Sequence, residues 1–558
     1  MRRFLLCILS ALMAIGTSAA DVTPQEARQQ ATAFLHQRFY SHRAAGNLPE
    51  LEMTQPIEGL YAFNIGDRQG FVIVSPDDRT EAVLGYSDHG YIDPDHIPDN
   101  MRQWLKGYAE QIEWIRANNL QKISPSNVAR RDDTQKTPIA PLLTSHWNQD
   151  YPYYNSCPTY QNTQTLAGCV ATAMAQIVNF HKWPRAIQNT IPAYTTGSTG
   201  ISVPAIPAGT PIDWQNMLDD YIYEQVFNPN TGQHELNTQF NDDEAAAVAD
   251  LMMFCGASIN MDYSPVASGA YSTAIPYALV HYFGYDDMVT MVKRDNYTYD
   301  NWIELIYHEL SEGRPVLYSG MSSSNGHQFV CDGYEGDDLF HINWGWNGTN
   351  DGVFRLSVLD AYDKDATTPN SRSFSNKQDA IIGIKIPGTE GSILNVSTSE
   401  IKLVLKSMTL DRNTVKVNTP VYATATIKNL SSQTFNGSIV LYEQNTGKGE
   451  KAQNVQLDAF EEKEVTLSYT PNTTGKHLLT LIYRKELTSN QYYYLYTEWS
   501  NIYSLELTVT ETDVADGITT VDADSKPANE QIFDLQGRRV KKPAKGVYII
   551  NGKKTLLK

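Results

Sequence analysis

Gly168-Cys169-Val170-Ala171-Thr172-Ala173-Met174-Ala175-Gln176-Ile177-Val178 sets a cysteine at the head of an alanine-rich stretch, in which Val170, Ala173, Met174, Ile177 and Val178 fall on one helical face. The pattern predicts a buried helix with Cys169 in its first turn. Unpaired N–H groups and the macrodipole favour an anion there, so the thiolate, the nucleophilic form of cysteine, is stabilised. Far along the chain, Asn325-Gly326-His327-Gln328-Phe329-Val330-Cys331-Asp332-Gly333-Tyr334 reads as a strand opening on a histidine. A second strand, Leu339–Asn343, runs into Trp344-Gly345-Trp346-Asn347-Gly348. A hairpin of this kind brings Asn343 and Trp344 towards His327, as a polar orienting partner and an aromatic shield. Taken singly, each of these residues is explained by packing or by a turn. Together they offer nucleophile, base and orienter, the set that covalent catalysis by a thiol requires.

The elements that must hold these groups are legible around them. Thr23-Pro24-Gln25-Glu26 is a capping box with proline at the first helical position, so a helix should start there and run to about Arg38. The stretches Leu60–Ile65 and Gly70–Val74, separated by Gly66-Asp67-Arg68-Gln69, read as a hairpin. Met101, Trp104, Leu105, Tyr108, Ile112 and Ile115 recur at helical spacing. Residues 21–125 are therefore expected to be a small α+β unit, followed by the exposed, cleavable linker Ser124–Pro138. Residues 136–388 mix helical and strand patterns without a repeat, as one α+β enzyme domain would. Beyond Gly388 alternation of period two takes over, in Val421/Ala423/Ala425/Ile427, Val465/Leu467/Tyr469 and Leu505/Leu507/Val509, which predicts an immunoglobulin-like β-sandwich over 394–510. Thr510–Asn529 reads as a polar linker, and residues 529–558 as a short terminal β-module.

Composition bounds the partners. The chain has 558 residues, 41% of them apolar and 19% charged, which is the make-up of a folded protein of several domains. A net charge of −19 repels phosphate backbones and anionic lipid heads, so nucleic acid is not an expected partner. Met1–Ala20 has the basic start, short apolar run and small-residue end of a secretory signal. No later segment is apolar for long enough to span a bilayer, so the mature chain is expected outside the cytoplasm with no membrane span. Cys157, Cys169, Cys255 and Cys331 then remain, too widely spaced for a disulfide framework or a zinc pattern, and no metal or organic cofactor is expected. The basic end, from Arg538 to Lys558, opposes the sign of the rest and needs a role of its own.

Gly-Cys-Val-Ala-Thr-Ala, Gly-His-Gln-Phe-Val-x-Asp-Gly and His-Ile-Asn-Trp-Gly-Trp-x-Gly, in this order, resemble the streptopain family of secreted papain-fold cysteine peptidases, which includes interpain. The likeness spans about residues 136–388, with a similar propeptide before it. It implies that Cys169 is the nucleophile and His327 its base, that the third group is Trp344 with Asn343 adjacent, and that Gln149 of Trp147-Asn148-Gln149-Asp150 donates to the oxyanion. Gln149 lies nearer to its cysteine than in streptopain. The segment from Met261 to Gly269 resembles a substrate-lining loop, and Gly326 and Gly269 are the candidate substrate-binding glycines. Residues 21–135 would be the inhibitory propeptide, and Ile532–Val540 with Lys545–Ile550 resemble the sorting domains of type IX secretion cargo. The resulting expectation is a self-processing endopeptidase acting on proteins or peptides, with its own propeptide as inhibitor and type IX machinery as its route to the surface. Two rival readings share the residues: another Cys-His acyl-transfer enzyme, such as a transglutaminase or cell-wall amidase, and a surface adhesin with a decayed peptidase domain.

Overall fold

The computed structural model describes residues 21–39, 49–118, 136–229, 232–321, 326–357, 378–394, 396, 401–431, 433–487, 491–497, 502–511, 518–521, 532–534, 540, 544–550 and 553–557. The expected signal segment and most of the cleavable linker lie outside them. The chain forms two compact units, Met1–Ser399 and Glu400–Lys558.

In the first unit, helix α1 (Pro24–Arg38) starts where the capping box puts it. The Thr23 hydroxyl accepts from the Glu26 N–H at 3.3 Å, and the Glu26 carboxylate accepts from the Thr23 N–H at 2.8 Å. Four antiparallel strands follow, β1 (Leu51–Thr54), β2 (Tyr61–Ile65), β3 (Phe71–Val74) and β4 (Val83–Ser87), and then the long helix α2 (Asp99–Ala117). After the linker the described residues add four α-helices, α3 (Cys169–His181), α4 (Asp242–Ser258), α5 (Ile275–His281) and α6 (Tyr299–Ser311).

The sequence separates residues 21–135 from 136–388, yet one ten-stranded sheet runs through both. Its order is β1, β2, β3, β4, then Gly352–Arg355, Leu339–Asn343, Gly326–Gly336, Val316–Met321, Asp379–Ile382 and Thr290–Lys293. The seam is the pairing of β4 with Gly352–Arg355, Tyr86 opposite Val353 and Gly85 opposite Phe354. Close approach there needs a glycine, because a Cβ on Gly85 would lie 2.4 Å from the Phe354 ring. Side chains fasten the same seam. Arg355 donates to the Val83 carbonyl at 2.9 Å, Ser87 donates to the Asp351 carbonyl at 2.8 Å, and Arg38 and the Tyr86 hydroxyl both meet Glu335. Across one face of the sheet lies α2. Its Trp104 is enclosed by Tyr318, Phe329 and Trp344, with ring centres 5.8, 5.4 and 6.5 Å away. Aromatic pairs of this kind contribute about 0.5–1.5 kcal/mol each beyond the area they bury. The opposite face carries α3 and α4 over a separate core that includes Val330, Leu317 and Ile381.

The second unit begins with two sheets around a single apolar core. Leu403–Leu410, Val421–Asn429 and Glu462–Tyr469 form one sheet. Phe435–Glu443, Gly475–Arg484 and Leu505–Thr510 are the main strands of the other. Inward residues alternate along each strand as the sequence predicts, Val421, Ala423, Ala425 and Ile427 being fully buried. The terminal module is a four-stranded sheet in the order Ile518–Val521, Lys553–Leu557, Gly546–Ile550, Ile532–Phe533. Its first strand lies inside the expected linker. Ile518-Thr519-Thr520-Val521 is wholly β-branched and so suits a pleated strand, and it pairs in parallel with Lys553–Leu557.

Candidate active site

Cys169 is the first residue of α3, and the turn that presents it depends on Gly168. Gly168 has φ +90°, and a Cβ there would come within 3.0 Å of both the Met261 side chain and the Ser268 carbonyl. One residue further back, the Ala167 N–H donates to the Gln149 carbonyl at 2.9 Å. That bond ties the Trp147–Asp150 segment to the cysteine turn. Gln149 is half-buried, its own N–H is taken by the Asn148 side chain at 2.8 Å, and its amide has no protein partner among the described residues.

The thiol is partly buried, and its surroundings push it above its ordinary pKa. Burial is the leading cause, opposed by the backbone N–H groups of Gln328, Val170 and Cys169 itself. The helix-terminal N–H groups anticipated from sequence are thus present, and desolvation outweighs them. The N–H of Gln328 beside the thiol also locates the histidine, since His327 is the preceding residue, near the start of strand Gly326–Gly336. Burial lowers the pKa of the imidazole, while the charge of Asp99, from the first turn of α2, acts in the opposite direction. Among the described residues no hydrogen bond joins thiol and imidazole. Both shifts favour the neutral pair over thiolate and imidazolium in this form of the chain, with α2 in place.

Asn343 and Trp344 have other partners. In the hairpin Asn343 stands opposite Val330, three residues from His327. Its amide donates to the Ser145 carbonyl at 2.9 Å, and its oxygen accepts from Gln176 at 3.1 Å and from the Gly345 N–H at 3.0 Å. Trp344 is 1% exposed and lies against Phe329 and Phe354, with ring centres 4.9 and 5.1 Å away. Its indole N–H donates to the Asn350 carbonyl at 3.0 Å, and the side chain of Asn100 on α2 meets its backbone carbonyl. Gly269 is exposed, forms a bridge with Asp262, and has open space where a side chain would project. Gly326 pairs with Met321 at the end of its strand, next to His327.

Sequence reasoning passed over Gln176. Seven residues after Cys169 on the same helical face, this fully buried amide accepts from the Trp147 N–H at 3.2 Å while donating to Asn343. It joins the Cys169 helix, the Gln149 segment and the His327 hairpin in one network. A lone glutamine in an Ala/Val/Ile/Met helix was the signal available for it. Asp99, Asn100 and Trp104 of α2 were also missed as neighbours of the site, because only the fold brings them there.

Comparison with known proteins assigns families to two stretches of the first unit. The peptidase C10 family profile matches residues 147–354, and that of the Spi protease inhibitor matches residues 19–112. The chain is 31% identical over 339 residues to the thiol protease/hemagglutinin PrtT of Porphyromonas gingivalis, a match covering 59% of this chain and 37% of PrtT. It is 29% identical over 386 residues to streptopain of Streptococcus pyogenes, covering 65% of this chain and 91% of streptopain. Among solved structures, prointerpain A of Prevotella intermedia aligns at 29% identity with a TM-score of 0.49, over 60% of this chain and 98% of that one. Through residues 147–354, held behind an inhibitor-like domain in the same polypeptide, the chain belongs to the peptidase C10 family and is a cysteine peptidase.

Proposed function

We propose that Cys169 is the nucleophile of an endopeptidase acting on protein substrates, that His327 is its base, and that residues 21–135 restrain it until they are cut away. The observation that carries the assignment is the bond from the Ala167 N–H to the Gln149 carbonyl. It ties the backbone of Gln149, whose side-chain amide has no partner among the described residues, to Ala167, two residues before the thiol on the turn that also offers the Cys169 N–H. In the reaction His327 takes the thiol proton, the sulfur attacks the scissile carbonyl, and the oxyanion accepts from Gln149 and the Cys169 N–H. The imidazolium then protonates the leaving amine, and water, deprotonated by the same imidazole, releases the acyl group from sulfur. Asn343 serves this chemistry by holding α3 through Gln176, and Trp344 by packing the sheet beneath His327. Gly326 and Gly269 leave room for an extended substrate beside the dyad.

Covalent labelling of the processed chain with an epoxide thiol reagent, followed by peptide mapping, tests the assignment. The label is expected on Cys169, and a peptidase labelled elsewhere would overturn it. Hydrolysis of denatured protein, without amide release from peptidoglycan or cross-linking of proteins, separates this reading from its acyl-transfer rivals.

Export completes the proposal. The N-terminal 20 residues act as a secretory signal, and the terminal module is read by a type IX apparatus at the outer membrane. Its support is a small sheet with a core of Ile532 and Ile550 and a tail opposite in charge to the rest of the chain. A chain ending at Thr510 is expected to keep its specific activity once purified, yet to stay in the periplasm of a host that has the pathway. Normal export of that shortened chain would remove the role.

A further inference from the structure

The face of the ten-stranded sheet that packs against α3 and α4 is apolar along its middle, where Val330, Leu317, Ile381 and Met291 stand in register across four strands. The next row towards the nucleophile changes character. Gln328 is opposite Ser319, Ser319 opposite Asp379, and Asp379 opposite Lys293, so a line of polar side chains crosses the same strands. One of its contacts is made within the protein. Ser319 donates to Asp379 at 2.6 Å, and burial raises the Asp379 pKa against this bond and the charge of Lys293 at the solvent end. The inner end is incomplete. Gln328 is 2% exposed, its side-chain oxygen accepts from Ser272 at 3.0 Å, and its amide nitrogen has no partner among the described residues.

A buried donor without an acceptor destabilises a fold, and native chains keep few of them. This one sits on the residue whose backbone N–H faces the Cys169 thiol and whose neighbour is His327. Ser272, which fixes the amide, follows Tyr271. Tyr271 is 84% exposed and lies two residues beyond Gly269, whose bridge to Asp262 closes the loop that passes Gly168 at Ser268. Val266 on the same loop is 87% exposed. The stretch from Asp262 to Ser272 beside Cys169 therefore carries two exposed side chains, Val266 and Tyr271, and ends on the hydroxyl that holds the buried Gln328 amide.

We propose that Gln328 is a specificity-determining residue: its amide donates to an acceptor oxygen on one side chain of the bound substrate, held in place by Ser272. The enzyme then favours substrates with a hydroxyl, carboxamide or carboxylate at that position over apolar side chains of equal size. A site built to hydrogen-bond a substrate group discriminates strongly against analogues that lack it, because its own polar atom is left unpaired.

This proposal rests on the reading of Cys169 as the nucleophile, and its test keeps the two apart. Fluorogenic peptides varied one position at a time are given to the processed wild-type enzyme, to Gln328→Met and to Gln328→Glu, each titrated at Cys169 with the epoxide reagent. In the wild type, one position is expected to favour glutamate or glutamine over leucine by about 10- to 100-fold in kcat/KM. Gln328→Met should erase that preference at the same position and leave selectivity elsewhere intact. Gln328→Glu, which replaces a donor by an acceptor, should turn the enzyme against glutamate there while still accepting glutamine. Unchanged profiles in enzymes that titrate fully at Cys169 would overturn the proposal alone, as would an equal loss on every peptide, the mark of a structural role. Failure of the wild type to titrate at Cys169 would remove the catalytic reading and this proposal together.

Discussion

Cys169→Ala is expected to abolish peptide hydrolysis, by about 10⁶-fold in kcat as for loss of the nucleophile in other covalent hydrolases, and to leave the chain at its unprocessed length. No other thiol among the described residues can take over. Cys157, Cys255 and Cys331 are buried and unbridged, and burial pushes Cys157 up to about 12 and the other two well above the ordinary thiol range. At neutral pH they stay protonated inside apolar packing, where they are neither nucleophilic nor within reach of a peptide. Cys169 is the one partly buried cysteine among them, and the only one at a helix N-terminus with backbone N–H groups turned to its sulfur. Alanine fits the same turn, because the geometry is imposed by Gly168 and not by the side chain that follows. The variant should therefore fold as the wild type does and accumulate with residues 21–135 attached. Casein hydrolysis and chain length on a denaturing gel are the measurements. Residual hydrolysis at a few per cent of the wild-type rate, in protein free of contaminating peptidase, would give the chemistry to another group.

The same contrast shows what a sequence can carry. Local signals sufficed for α1, whose capping box fixes its first residue, for α3, whose alanine-rich run follows Gly168-Cys169, and for strands such as Val421–Asn429 with their strict alternation. Register did not follow from such signals. Placing Asn343 beside His327 assumes a hairpin that aligns them, whereas the observed one aligns Asn343 with Val330 and leaves its amide to hold Ser145 and Gln176. The seam between β4 and Gly352–Arg355 joins segments more than 260 residues apart, and no local pattern encodes a pairing over that distance. The helix dipole was read correctly as a force on the thiol, but its balance against burial depends on how tightly the neighbours close, which only the packed structure supplies. Gln328 was quoted in a motif without a role, because an amide that lacks a partner is visible only when everything around it is placed.

Gln149→Ala should lower kcat by about 10²–10³ with little change in KM, since an oxyanion donor acts on charge that exists in the transition state and not in the bound substrate. The backbone of this residue is held without its side chain. Its carbonyl accepts from Ala167 at 2.9 Å, its N–H donates to Asn148, and the Asn148 amide is fixed in turn by Asp150 at 2.8 Å. Truncation to alanine therefore removes a donor and leaves the loop, so alkylation of Cys169 should proceed at the wild-type rate while turnover falls. Gln149→Glu separates donation from bulk. It keeps the volume, removes the N–H and sets a carboxylate near the developing negative oxygen, so its kcat should fall below that of the alanine variant. Equal rates for the two would mean that the side chain only fills space, and an unchanged kcat in either would move the oxyanion donor to a different residue.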